Sequence, residues 1–156
     1  MPYPKISIVI QCFNRAQYIG ENIESVVSQC YPNLECIVID DGSTDGSWEI
    51  IQSYKSKLVH VEQLPGKRTS PIWAYNHGLT KATGEILATL TDKSKLMPKS
   101  LFAVAKVFSA FPDVQWLTGI GLVLDDDGVI SNVIPVRKDF YEHLVGFPWA
   151  IQHEST

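Results

Sequence analysis

Apolar positions recur along the chain with two different periods. Lys5 to Ile10 is short, β-branched and almost wholly apolar, the pattern of a strand buried on both faces. Asn14, with Gln17 three residues on, makes a capping-box-like helix start. Ile19, Ile23, Val26, Val27 and Cys30 then recur at helical spacing until Pro32 stops the helix. Leu34 to Ile39 predicts a second buried strand, and Trp48, Ile51 and Tyr54 mark one face of a second helix. Further strands are predicted at Leu58 to Gln63 and Glu85 to Leu90, with a third helix from Pro71 to Ala82 between them. Pro98 opens another helix that turns Leu101, Val104, Ala105 and Phe108 inward. Val114 to Leu124 and Val129 to Pro135 predict two strands around the turn Asp126-Asp127-Gly128. Strands alternating with helices require right-handed crossovers. The expected fold is therefore α/β, a mainly parallel Rossmann-like sheet flanked by helices, with a C-terminal β-hairpin.

Length and composition narrow this picture. The 156 residues suit one domain, and 45% apolar with 19% charged residues is the balance of an ordinary globular protein. A formal charge of −4 argues against a surface that coats nucleic acid. No apolar run approaches the ~20 residues of a membrane span, and Met1-Pro2-Tyr3-Pro4 leads into a strand rather than reading as a signal peptide. Peripheral attachment to a membrane stays open. Cys12, Cys30 and Cys36 are odd in number and fall in core elements, so buried, reduced thiols and a cytoplasmic location are expected.

In open α/β sheets the ligand crevice lies beyond the carboxyl ends of the strands. Three loops come under suspicion: Gln11 to Asn14, Asp40 to Thr44, and Thr91 to Lys95. Asp40 and Asp41 end a buried strand in two adjacent carboxylates. One reading is that they cap the next helix and solvate the turn, although Ser43 and Thr44 already stand there for capping. The other is nucleoside recognition, since a carboxylate accepts from a base N–H or a ribose hydroxyl. A dinucleotide site also needs a Gly-rich first loop, and Gln11-Cys12-Phe13-Asn14 has no glycine. Phosphates would then be held elsewhere. Lys67 and Arg68 precede Thr69-Ser70-Pro71, a helix start, and could hold a diphosphate or be a solvated basic turn. Phe13 could stack on a base or belong to the core.

Three stretches together carry a family resemblance: Ser7-Ile8-Val9-Ile10-Gln11-Cys12-Phe13-Asn14, Ser25-Val26-Val27-Ser28-Gln29 with Tyr31-Pro32, and Val38-Ile39-Asp40-Asp41-Gly42-Ser43-Thr44-Asp45. Asn76-His77-Gly78 and Ala82-Thr83-Gly84-Glu85-Ile86 extend it. In this order they resemble the inverting family 2 glycosyltransferases of the GT-A fold. The resemblance implies a UDP-sugar donor, transfer of the sugar to a saccharide or glycoconjugate hydroxyl, and a role in polysaccharide or glycoconjugate synthesis. It implies that Asp41 contacts the uracil, that Phe13 and its neighbours Gln11 and Asn14 pack against the base, and that Asp40 supports the turn. Arg68, with Lys67, would lie near the nucleotide.

The sequence departs from the family at Leu90-Thr91-Asp92-Lys93-Ser94-Lys95-Leu96-Met97-Pro98, where an Asp-rich metal motif is expected. Asp92 remains, with Lys93 and Ser94 where further carboxylates would stand. Asp92 is therefore the metal-ligand candidate for Mg²⁺ or Mn²⁺, and a poor one, because a hard cation takes several oxygen ligands. Lys93 could meet the diphosphate directly. No carboxylate matches the family's catalytic base, which is expected beyond Thr156, so residues 1–156 read as a nucleotide-sugar-binding domain cut before its acceptor-binding segment. The rival is a binding module without catalysis. A phospho-accepting signalling domain would need its acidic pair after the first strand, where this chain has none. His60 and His77 read as structural, Asp125-Asp126-Asp127-Gly128 as a solvated turn, and Trp149 and His153 have no spacing that assigns them a role.

Overall fold

The computed structural model describes residues 3–66, 71–117, 121–124 and 130–134. Strands β1 (Ile6–Cys12), β2 (Leu34–Asp40), β3 (His60–Gln63) and β4 (Ile86–Leu90) form one parallel sheet in the order β3-β2-β1-β4. The connecting helices are α1 (Ala16–Val27), α2 (Ser47–Ser53) and α3 (Pro71–Leu79), and α4 (Ser100–Ala110) follows β4. Strands β5 (Gly121–Leu124) and β6 (Ile130–Ile134) pair antiparallel as the expected hairpin. The chain divides into two compact units, Met1–Ser109 and Ala110–Thr156, and the parallel sheet belongs to the first.

Both faces of β1 are covered, which is why its sequence is a continuous apolar run rather than an alternation. Ile6, Ile8, Ile10 and Cys12 pack with Ile19, Ile23 and Val26 of α1, Ile51 of α2, and Leu101 and Ala105 of α4. Val9 points the other way and joins Ile37, Ile39 and Ala74 under α3. That helix lies so close to the sheet that a Cβ on Gly78 would stand 2.4 Å from Val9 Cγ1. Gly78 of Asn76-His77-Gly78 is thus a packing requirement as much as part of a motif.

At the amino ends of the strands one carboxylate is buried. Glu35 faces its register partner Ser7, whose hydroxyl donates to it. The carboxylate also accepts from Thr83 N–H at 2.8 Å and Thr83 Oγ1 at 2.9 Å, and pairs with Lys5 Nζ at 3.0 Å. Burial opposes the charge, but these donors outweigh it and bring the Glu35 pKa down to about 2.

Several expectations need correction. Residues 114–117 are not in a strand, so β5 is shorter than the predicted Val114 to Leu124. The turn Asp126-Asp127-Gly128 lies outside the described residues. β3 begins at His60 rather than Leu58 because a 3₁₀ turn, Lys55–Lys57, takes up the approach. Cys30 is exposed, not core: α1 ends at Val27, so helical spacing no longer governs residue 30, whose φ is 50°. Cys12 and Cys36 are buried as expected. Burial, and for Cys12 also the Asp40 charge, raises both thiols to about 12.

This packing can be tested in two ways. A folded-state pKa below the unfolded value gives stability that is present above pH ~4.5 and lost as pH falls towards ~2. Denaturant unfolding should therefore show Glu35→Gln to be less stable than the parent at pH 7, by on the order of 3 kcal/mol. The gap should narrow on acidification, and an equal gap at pH 7 and pH 3 contradicts the network. With a thiol reagent at pH 8, Cys30 should react promptly, and Cys12 and Cys36 only as the protein unfolds.

Candidate functional site

Because β4 returns beside β1 while β2 and β3 run outward on its other side, the sheet has a switch point between β1 and β4. The loops after β1, β2 and β4 meet there. Cys12 and Asp40 are register partners, and Asp41 N–H donates to Cys12 O at 2.8 Å, zipping the first two loops together.

Asp40 is fully buried. Its carboxylate accepts from Ser43 N–H at 3.0 Å, from the Ser43 hydroxyl, and from Gln63 Nε2 at 2.8 Å. These bonds hold the turn that follows β2. Asp41, 3% exposed, sits at the mouth of the sheet with Gly42 next to it, where φ is 78° and an added Cβ would strike the Gly66 backbone at 2.8 Å. Gln11 is buried at the end of β1, and Phe13 and Asn14 are half-buried in the loop beyond it.

The capping expected within each loop is exchanged between loops. Asn14, at φ 50°, does not cap α1. Its Oδ1 accepts from Thr44 N–H at 2.9 Å, and its own N–H donates to Ser43 Oγ at 2.9 Å. Arg15 takes the cap position, and its N–H donates to Ser47 Oγ at 2.8 Å, while Ala16 N–H reaches Asp45 Oδ2 at 3.0 Å. Nor do Ser43 and Thr44 cap α2, which starts from Gly46 without a side-chain cap. The second loop is instead the N-cap of the first helix, contributed by residues about thirty positions away.

The third loop is fixed to α1 by a polar stripe. Asn22, 1% exposed, donates through Nδ2 to both Thr91 O and Ser94 O at 2.6 Å. Ser25 Oγ accepts from Leu96 N–H at 3.1 Å, and Gln29 Nε2 donates to Met97 O at 3.0 Å. Asn22 and Ser25 lie on one face of α1, and Gln29 follows just past its end. Ser25 and Gln29 belong to the motif quoted above, but sequence reasoning assigned them no role, and Asn22 was missed. The spacing of Asn22 and Ser25 on the α1 face was the available signal.

Asp92 emerges from this loop beside the first one. Arg15, which sequence reasoning also missed, places its Nε 3.5 Å from Asp92 Oδ2. Burial raises the Asp92 pKa, against the lowering effects of the Arg15 charge, the Phe13 N–H and the Lys93 charge. The phenol of Tyr75, which donates to Leu90 O at 3.2 Å, is raised by burial and by the Asp92 charge. Lys93 itself is exposed. Lys67 and Arg68 lie outside the described residues, as do Asp125, Asp126, Asp127, Trp149 and His153. His60 and His77 both contact Glu62 Oε2, at 3.0 and 2.9 Å, and Trp73 stacks on the His77 ring, consistent with structural roles. Glu62 is lowered by these two contacts.

This donor set does not fit a firmly held divalent cation. Asp92 is the only carboxylate its loop supplies, Arg15 stands against it, and among the described residues no three His, Cys, Asp or Glu side chains cluster to hold a metal. A cavity of about 470 Å³ lies elsewhere, lined by residues that include Gln29, Cys30, Lys99 and Phe102 at the C-terminal end of α1.

Residues 7–143 match the sequence profile described as Glycosyl transferase family 2. The chain belongs to that family. Among relatives, the glycosyltransferase GlyG of Streptococcus pneumoniae is 33% identical over 155 residues, covering 94% of this chain and 46% of that protein. The poly-beta-1,6-N-acetyl-D-glucosamine synthase of Staphylococcus epidermidis is 26% identical, covering 90% of this chain and 34% of its own length. The chain thus spans less than half of either relative. Among solved structures, S. aureus TarS in complex with UDP-GlcNAc superposes with a TM-score of 0.66 at 26% identity, covering 76% of this chain and 37% of that one. The family 2 assignment accounts for the α/β fold and for the three loops that converge at the switch point. No helix among the described residues is long and apolar enough to cross a membrane.

The stripe yields a test of the site's scaffold. Asn22→Ala removes the donor shared by two loop carbonyls. It should cost about 1–3 kcal/mol in denaturant unfolding and speed amide exchange across residues 91–97 more than in β1 or β2. Unchanged exchange in that loop contradicts the assignment.

Proposed function

We propose that the chain is the nucleotide-sugar-binding part of an inverting glycosyltransferase. It takes a UDP-sugar in the crevice beyond the carboxyl ends of β1, β2 and β4. The observation that carries this reading is the placement of Asp41, a buried carboxylate at the mouth of the sheet joined through its own backbone to the end of β1. A carboxylate there accepts from the N–H of uracil, which cytosine replaces with an acceptor. Gln11, Phe13 and Asn14 form the wall for the base, and Asp40 holds the turn that aims Asp41. Lys67, Arg68 and Lys93 supply positive charge for the diphosphate. The UDP-GlcNAc carried by TarS supports a UDP-sugar donor, and the polysaccharide synthase among the relatives supports a saccharide acceptor.

In the full reaction a general-base carboxylate activates an acceptor hydroxyl, which displaces the diphosphate in one inverting step. We place the reaction in the cytoplasm. The alternative is a nucleotide-sugar-binding module that does not transfer.

Calorimetry separates these ideas from a merely solvated turn. UDP should bind more tightly than CDP, ADP or GDP, and Asp41→Ala should weaken UDP binding by about 1–3 kcal/mol. Equal affinity for the four nucleotides, or an Asp41→Ala variant that binds UDP like the parent, contradicts the assignment.

A further inference from the structure

Arg15 stands at the cap of α1 and faces the carboxylate that the family's metal motif leaves in this chain. Its backbone is pinned by Ser47 Oγ, and its Nη1 donates to Asn14 O at 2.9 Å. Nε, 3.5 Å from Asp92 Oδ2, is buried and makes no hydrogen bond. The pair is therefore a charge contact and not a closed bidentate fork. Asp92 is 13% exposed at its side chain and Arg15 36%, so the carboxylate is largely withdrawn from water while part of the Arg15 side chain stays in it. A carboxylate so far withdrawn from water is costly to keep ionised without a cation beside it. Lys93, exposed, contributes only its field, and Arg15 is the cation in contact.

We propose that Arg15 holds the place at Asp92 that a divalent cation would take, and that it presents its open edge to the donor's diphosphate. The proposal rests on the nucleotide-sugar reading above and names the cation that reading requires. Guanidinium has the chemistry for this, being charged at every working pH, planar, and able to bridge two phosphate oxygens. A divalent ion approaching Asp92 would have to displace Arg15 and would meet repulsion from Lys93. A fixed protein charge then stands in place of a bound ion.

The test uses the whole chain in four calorimetric titrations with UDP: parent and Arg15→Gln, each with chelator and with Mn²⁺. Mn²⁺ should change the parent's affinity by less than about tenfold, and Arg15→Gln should lose at least about tenfold in chelator and regain most of it in Mn²⁺. That rescue is a readout a merely structural arginine would not give. A loss equal in both buffers, no loss at all, or a large Mn²⁺ effect on the parent overturns the proposal. Should Arg15→Gln melt early, Arg15→Lys serves: it keeps the charge, so Mn²⁺-independent UDP binding within about tenfold of the parent is expected, and a new Mn²⁺ requirement overturns the idea. A fifth arm titrates Mn²⁺ alone, followed by paramagnetic resonance of the free ion. Arg15→Gln should take up Mn²⁺ more readily than the parent, and equal uptake overturns the proposal. If the parent binds no UDP in either buffer, the nucleotide-sugar reading fails, and this arm still decides the pairing of Arg15 with Asp92.

Discussion

The burial of Asp40 at the end of β2 is the constraint on which the site depends. A carboxylate removed from water must find donors, and this one finds Ser43 N–H, the Ser43 hydroxyl and Gln63. Those bonds fix the turn, and the turn then serves as a template. Ser43 and Thr44 hold Asn14, while Asp45 and Ser47 hold the first amides of α1. The cap of α1 sets where Arg15 lies, and Arg15 meets Asp92. One desolvated charge thereby orders three loops far apart in sequence.

The two ends of the sheet use carboxylates differently. Glu35, at the amino ends, is surrounded by short-range donors and a lysine, and its lowered pKa marks a group committed to stability. Asp92, at the carboxyl ends, is raised by its burial and held by a loose pair. A group with its hydrogen bonds filled contributes to the fold. A group with a looser partner remains available to a ligand, at some cost to stability.

The fold was largely legible because it rests on periodicity. Continuous apolar runs gave β1 and β2, and helical spacing gave α1 and the inward face of α4. The carboxylates at the strand ends were legible too, since β2 reads as buried and Asp40 follows directly. What sequence could not show was partnership at a distance. Asn14 with Gln17 is a good local cap, yet Ser47 and Asp45 outcompete it because the parallel register brings their loop alongside. Arg15 drew no role from its neighbours Asn14 and Ala16, because only the return of β4 places Asp92 beside it. Asn22, Ser25 and Gln29 drew no role from sequence, because only the course of residues 91–97 reveals what they hold.

The account's central claim is that nucleotide is read at the carboxyl ends of β1, β2 and β4. Amide-resolved NMR during a UDP titration tests it most directly. Resonances of residues 11–15, 40–44 and 91–95 should shift together and saturably, while those around Glu35 and Thr83 at the opposite end of the sheet stay in place. Shifts confined to the α1 C-terminal cavity around Cys30 and Phe102, with the three loops unmoved, would contradict it.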